Sequence, residues 1–213
     1  MDHQPEHRRN IYEGEAADTR LAQLGIPSAA PLCDALAAGA SAYRSTNADH
    51  PDSYKGSRMW GETTMVLRRV LRPFGWDRGE LIGLQMVTNA RHGRAVVVTA
   101  GSPGSGDPEC LIPQVRYKRR TVMTHLVNGV QAGLFDDFVD EHPVWDVWCL
   151  LHHVRRDRVD AELSSPRGID REGWVTSWAE RIILPSIGFG PAARADVPSP
   201  APDPQVDISR RLG

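Results

Sequence analysis

Val144-Trp145-Asp146-Val147-Trp148-Cys149-Leu150-Leu151-His152-His153-Val154 is the strongest strand signal in the chain, and the fold is read outward from it. Trp145, Val147, Cys149 and Leu151 recur at the two-residue period that puts them on one face of a strand. Arg155-Arg156-Asp157-Arg158 turns the chain. Val159 to Ser164 then alternates, with Val159, Ala161 and Leu163 expected inward and Asp160, Glu162 and Ser164 outward. The two runs predict a β-hairpin.

An earlier pair of runs, Ile82 to Thr88 and Arg94 to Ala100, brackets the turn Asn89-Ala90-Arg91-His92-Gly93 and predicts another hairpin. Its Val96-Val97-Val98 core is β-branched and uninterrupted, as in a strand covered on both faces. Upstream, Ser28 is placed to cap a helix carrying Leu32, Leu36, Ala40 and Tyr43. A second helix starts near Ser57, lines Trp60, Thr64, Leu67 and Leu71 on one face, and stops at Pro73 and Gly75. Downstream, Trp174 and Trp178 stand one helical turn apart, so a last helix is expected from about Asp170, ending before Pro185.

That order predicts a single α+β domain. Its centre is one four-stranded antiparallel sheet made of two β-hairpins, packed by N-terminal helices and a closing C-terminal helix. The domain is expected over 28–190, after a flexible N-terminal arm over 1–27 with one short helix near Ala16 to Leu24. The Pro-rich tail over 191–213 lacks the apolar residues to offset its ordering entropy.

Composition narrows the function classes. With 40% apolar and 24% charged residues, the chain can bury a core, and its net charge of −2 exerts no global pull on nucleic acid or anionic membrane. Only Lys55 and Lys118 are lysines, so arginine clusters are common in this composition and carry less weight. Three scattered cysteines without a C-x-x-C pair argue for a reducing compartment, and the polar start lacks a secretory signal's apolar core. A cytoplasmic location is expected. No apolar run approaches the length of a membrane span, so no membrane association is expected.

The insert between the hairpins, 101–143, is longer than a compact domain needs and concentrates chemistry. Arg116, Tyr117, Lys118, Arg119 and Arg120 form a basic run at the start of an amphipathic helical pattern. The helix dipole disfavours cations there by roughly 0.3–1 kcal/mol each, so a phosphate partner such as DNA is one reading and a solvated arginine cluster is the other. Gln131-Ala132-Gly133-Leu134-Phe135 resembles the Q-L-[S/D]-L-F peptide that docks on the bacterial β sliding clamp. Gln131, Leu134 and Phe135 match, while Ala132 and Gly133 depart from the pattern. The same Leu134 and Phe135 also fit the last apolar turn of a core helix.

The alternative reading is catalytic. His152, His153, Asp160 and Glu162 straddle the second hairpin, where a histidine opposite Asp160 has the makings of a general base and its orienter. A four-residue turn puts His153 across from Asp160, and a register moved by one puts His152 there. The bland reading is a polar pair at a sheet rim. A nuclease of the PD-(D/E)xK kind lacks its lysine near Asp160-Ala161-Glu162. Gly101-Ser102-Pro103-Gly104-Ser105-Gly106-Asp107 follows a strand but lacks the Gly-Lys-Ser/Thr ending of a phosphate loop and is read as a flexible exit loop. No metal site and no cofactor are expected.

His50-Pro51, Trp60-Gly61-Glu62-Thr63, the Gly-rich exit after Thr99, Ala161-Glu162-Leu163-Ser164 and Glu180-Arg181-Ile182-Ile183-Leu184-Pro185 resemble segments of an uncharacterised protein family encoded on bacterial plasmids and integrative conjugative elements. The resemblance spans about Asp34 to Pro185 and implies a mobile-element setting without an activity. The expectation is a non-catalytic accessory binding protein whose insert contacts DNA or the sliding clamp. The alternatives are a hydrolase or nuclease using the histidine and carboxylate cluster, and an inhibitor or interaction protein with a non-DNA partner.

Overall fold

The computed structural model describes residues 10–81, 83–115, 145–170, 172 and 174–189. Among these residues it is α+β, with three α-helices and one eight-stranded mixed sheet. A short strand β1 (Ile11–Tyr12) leads into helices α1 (Gly14–Gln23), α2 (Ala30–Arg44) and α3 (Asp52–Leu71). Strands β2 (Asp77–Leu81), β3 (Leu84–Asn89), β4 (Arg94–Ala100), β5 (Asp146–Val154), β6 (Arg158–Ile169), β7 (Val175–Ile183) and β8 (Ile187–Gly188) follow. The sheet order is β1-β7-β6-β5-β4-β3-β2, with β8 paired to β6.

The expected four-stranded antiparallel sheet is therefore corrected, and in two ways. Both hairpins exist, but β4 and β5 pair in parallel, Ala100 opposite His152. A parallel neighbour needs a long crossover, and the stretch from Gly101 to Trp145 is long enough to supply one. The closing helix is instead β7, antiparallel to β6. Trp174 and Trp178 are four apart, a spacing that shares one face in a strand as well as in a helix, so periodicity alone did not separate them. β2 was not foreseen because Asp77-Arg78-Gly79-Glu80 is polar. It forms an edge strand, where one unpaired rim and charged side chains are the rule.

Two apolar layers hold the sheet. On one face, Leu32, Leu36, Leu67 and Leu71 of α2 and α3 bury against Val96, Val98, Trp148 and Leu150. Each of these leucines is fully buried, worth roughly 1.5–3 kcal/mol. Val97, Cys149 and Leu151 point to the other face and join Leu84, Met86, Val115 and Val175. The valine run is thus covered on both sides, as its composition predicts. α2 and α3 approach closely because Gly39 has no side chain: a Cβ there would lie 2.0 Å from Thr63 Oγ1 and 2.7 Å from the Met59 carbonyl.

Residues 10–27, expected within a loose arm, form β1 and α1 and reach the core through Leu21, Leu24 and Ile26. Arg20 anchors α1 to β7 by donating to both carboxylate oxygens of Glu180, Nε at 2.6 Å and Nη2 at 2.8 Å. The expected Pro-rich tail, 191–213, lies outside the described residues. No helix among the described residues is long and apolar enough to cross a membrane.

Candidate functional site

The parallel pair sets up the site. Crevices at the carboxyl ends of adjacent parallel strands are favoured ligand positions in open sheets. Here β4 and β5 both end beside the N-terminal half of α3, and a cleft of about 450 Å³ lies between them. The helix makes room by sequence: Ser53, Gly56 and Ser57 precede Trp60 on one stripe, three or four residues apart, so small side chains stand where the core stripe would otherwise continue. Tyr43 of α2 adds an aromatic wall, and Thr99, Ala100 and His152 come from the strand ends.

The chemistry of this cleft is uncharged. No carboxylate, lysine or arginine lines it among the described residues. His152 is 4% exposed. Burial, with a smaller effect from neighbouring His153, pushes its pKa down to about 4, so the ring is neutral near pH 7. Its Nδ1 is buried with no hydrogen-bond partner among the described residues. The indole Nε1 of Trp60 is in the same state, as are the hydroxyls of Thr63 and Thr64 just behind it on α3. Buried polar groups are normally paired, and each one left alone costs about 1–3 kcal/mol, so a concentration of them beside a cleft marks a place where a partner is missing.

The four residues of the catalytic reading do not form one constellation. The hairpin register is the first of the two considered, with His153 opposite Asp160 and Val154 opposite Val159. His152 pairs with Ala161 on the helix-covered side, whereas His153, Asp160 and Glu162 alternate to the other side. Nor are the carboxylates outward and solvated: Asp160 is 6% and Glu162 0% exposed, because the segment after β4 folds over that face. Asp160 accepts hydrogen bonds from Arg155 Nε, Arg158 Nε and Ser186 Oγ. Those donors hold its pKa below the usual carboxylate range against the opposing effect of burial.

Glu162 is committed to structure. It pairs with Arg181 and accepts from Ser164 Oγ at 2.8 Å and from the Gly106 amide at 2.9 Å. Arg181 in turn donates to the carbonyls of Asp107 and Cys110. The Gly-rich segment expected to be a flexible exit loop is thus packed. Ser105 is fully buried, and Gly106 has φ +77 and leaves 2.7 Å between a would-be Cβ and the Ala161 nitrogen. The segment closes on itself through the Gly101–Val115 bridge and the 2.7 Å bond from Ser102 N–H to the Gln114 carbonyl.

Arg116, Tyr117, Lys118, Arg119, Arg120, Gln131, Leu134 and Phe135 all lie outside the described residues. Among the described residues, no group of three or more His, Cys, Asp or Glu side chains is placed to hold a metal ion. Trp60 and Tyr43 were read from the sequence only as core. The available signal was the Ser53, Gly56, Ser57 run on the Trp60 stripe, which removes bulk where a packed helix would add it. The chain matches no family model, no curated protein and no solved structure.

Proposed function

We propose that this is a non-catalytic binding protein whose cleft between α3 and the ends of β4 and β5 takes an uncharged, largely aromatic small molecule. The observation that carries the reading is the pairing of a roughly 450 Å³ cleft with buried, unpartnered Trp60 Nε1 and His152 Nδ1 in its walls. That volume falls in the ordinary range for small-ligand sites, about 300–1,000 Å³. A charged ligand would lose its hydration there without gaining a counter-charge. An indole N–H calls for an acceptor such as a carbonyl, and a neutral imidazole nitrogen offers a donor or an acceptor according to its tautomer. The carboxylates expected to serve catalysis are instead held by Arg155, Arg158 and Arg181.

The test is a titration of the full chain with uncharged aromatic amides, benzamide the simplest, alongside benzoate as the charged counterpart. Binding of the amides but not of benzoate, weakened in Trp60→Phe, supports the reading. Equal behaviour of the charged and uncharged probes, or of wild type and variant, refutes it. Contact of Arg116 to Arg120 with DNA, of Gln131, Leu134 and Phe135 with a sliding clamp, and a mobile-element setting are separate proposals that rest on the sequence.

A further inference from the structure

We infer that the opposite face of the sheet carries a second binding site, one that takes a small organic cation with an ammonium or guanidinium head. A cleft of about 700 Å³ lies there, where the packed segment after β4, the end of β5 and the start of β7 meet. Gln114, His153, Asp170, Trp174 and Thr176 line it. Its character differs from the first cleft because each of its distinctive groups attracts positive charge.

Asp170 supplies a carboxylate that the chain holds in place. Its Oδ1 accepts the backbone N–H groups of Glu172 and Trp174, both at 2.9 Å. No arginine or lysine forms an ion pair with it among the described residues. Trp174 presents an indole, the strongest of the aromatic rings toward a cation. Gln114 is tied to β7 by donating Nε2–H to the Val175 carbonyl at 2.8 Å, which leaves its Oε1 acceptor buried without a partner. Arg155 reaches the Pro103 carbonyl at the edge of this cleft, but its guanidinium is paired with Asp160.

A hard metal ion does not fit this set, because calcium and magnesium draw on several oxygen ligands around a small sphere. One carboxylate, one amide oxygen and an indole suit a diffuse charge that keeps an apolar surface. That is the chemistry of a methylated ammonium or a guanidinium.

The experiment titrates the full chain with choline, with methylguanidinium and with 3,3-dimethyl-1-butanol, the uncharged isostere of choline, following the Trp174 indole and the Val175 and Thr176 amides by NMR. At least one cation is expected to move these signals to saturation while the alcohol does not. Asp170→Asn keeps the Oδ1 that receives both backbone N–H groups and removes the charge, so it should weaken cation binding about tenfold while the fold persists. Trp60→Phe should leave cation binding unchanged, which separates this site from the cleft beneath α3. Equal shifts with the alcohol, no shift with either cation, or undiminished binding in Asp170→Asn would overturn the assignment.

Discussion

Arg181 and Glu162, nineteen residues apart and on neighbouring strands, form an ion pair that is 3% and 0% exposed, and the pair pins the segment after β4 to the sheet. Breaking such a pair from one side leaves an uncompensated buried charge, at a cost of about 3–5 kcal/mol. Glu162→Gln should therefore lose stability of that order in urea unfolding. The Gly106 amide, which donates to Glu162, should lose its protection from hydrogen exchange. A loss below about 1 kcal/mol would show that the pair is not the anchor.

His152 makes stability depend on pH in a window that can be named. The ordinary imidazole value is 6.5, and burial pushes the folded value down to about 4. Between these values the unfolded chain binds a proton that the folded one refuses. Stability is then complete above pH 6.5 and is lost as pH falls toward 4, by roughly 3 kcal/mol. His152→Gln should flatten the profile in this window when unfolding is measured across it. An unchanged slope would contradict the burial of a neutral ring.

Gly39→Ala sets two effects against each other. Alanine gains about 1 kcal/mol of helix propensity over glycine, but the new methyl collides with Thr63 and the Met59 carbonyl. Forcing α2 and α3 apart costs about 1–3 kcal/mol, so overpacking should win and the Tm should fall. A Tm equal to or above wild type would mean that the helices separate freely.

Cys149 is fully buried, and its thiol is pushed up to about 12, chiefly by that burial. Thiolate is the reactive form, so iodoacetamide should label Cys149 only after unfolding. Cys33 is partly exposed and also raised, so it should react slowly in the native protein. Rapid native labelling at Cys149 by mass spectrometry would contradict its place in the core.

The strands of the two hairpins were legible because their side chains report burial directly. Val96, Val97 and Val98 signal two covered faces, and the turn length at Arg155 to Arg158 sets His153 against Asp160. The parallel pairing of β4 and β5 was not legible, since no local pattern distinguishes a neighbour added in parallel from one added antiparallel. Trp174 and Trp178 fit both periods. The pairing of Glu162 with Arg181 required knowing that β7 is a strand beside β6. The candidate cleft was hidden for the same reason: Trp60 and His152 are brought together by packing, and each taken alone reads as an ordinary core residue.

The most direct test follows the Trp60 indole N–H and the His152 imidazole nitrogens by NMR while benzamide is added to the full chain. Both sets of signals should move together and saturate, with benzoate moving neither. If benzamide leaves both unmoved, or shifts only signals remote from α3 and the ends of β4 and β5, the cleft is not a ligand site.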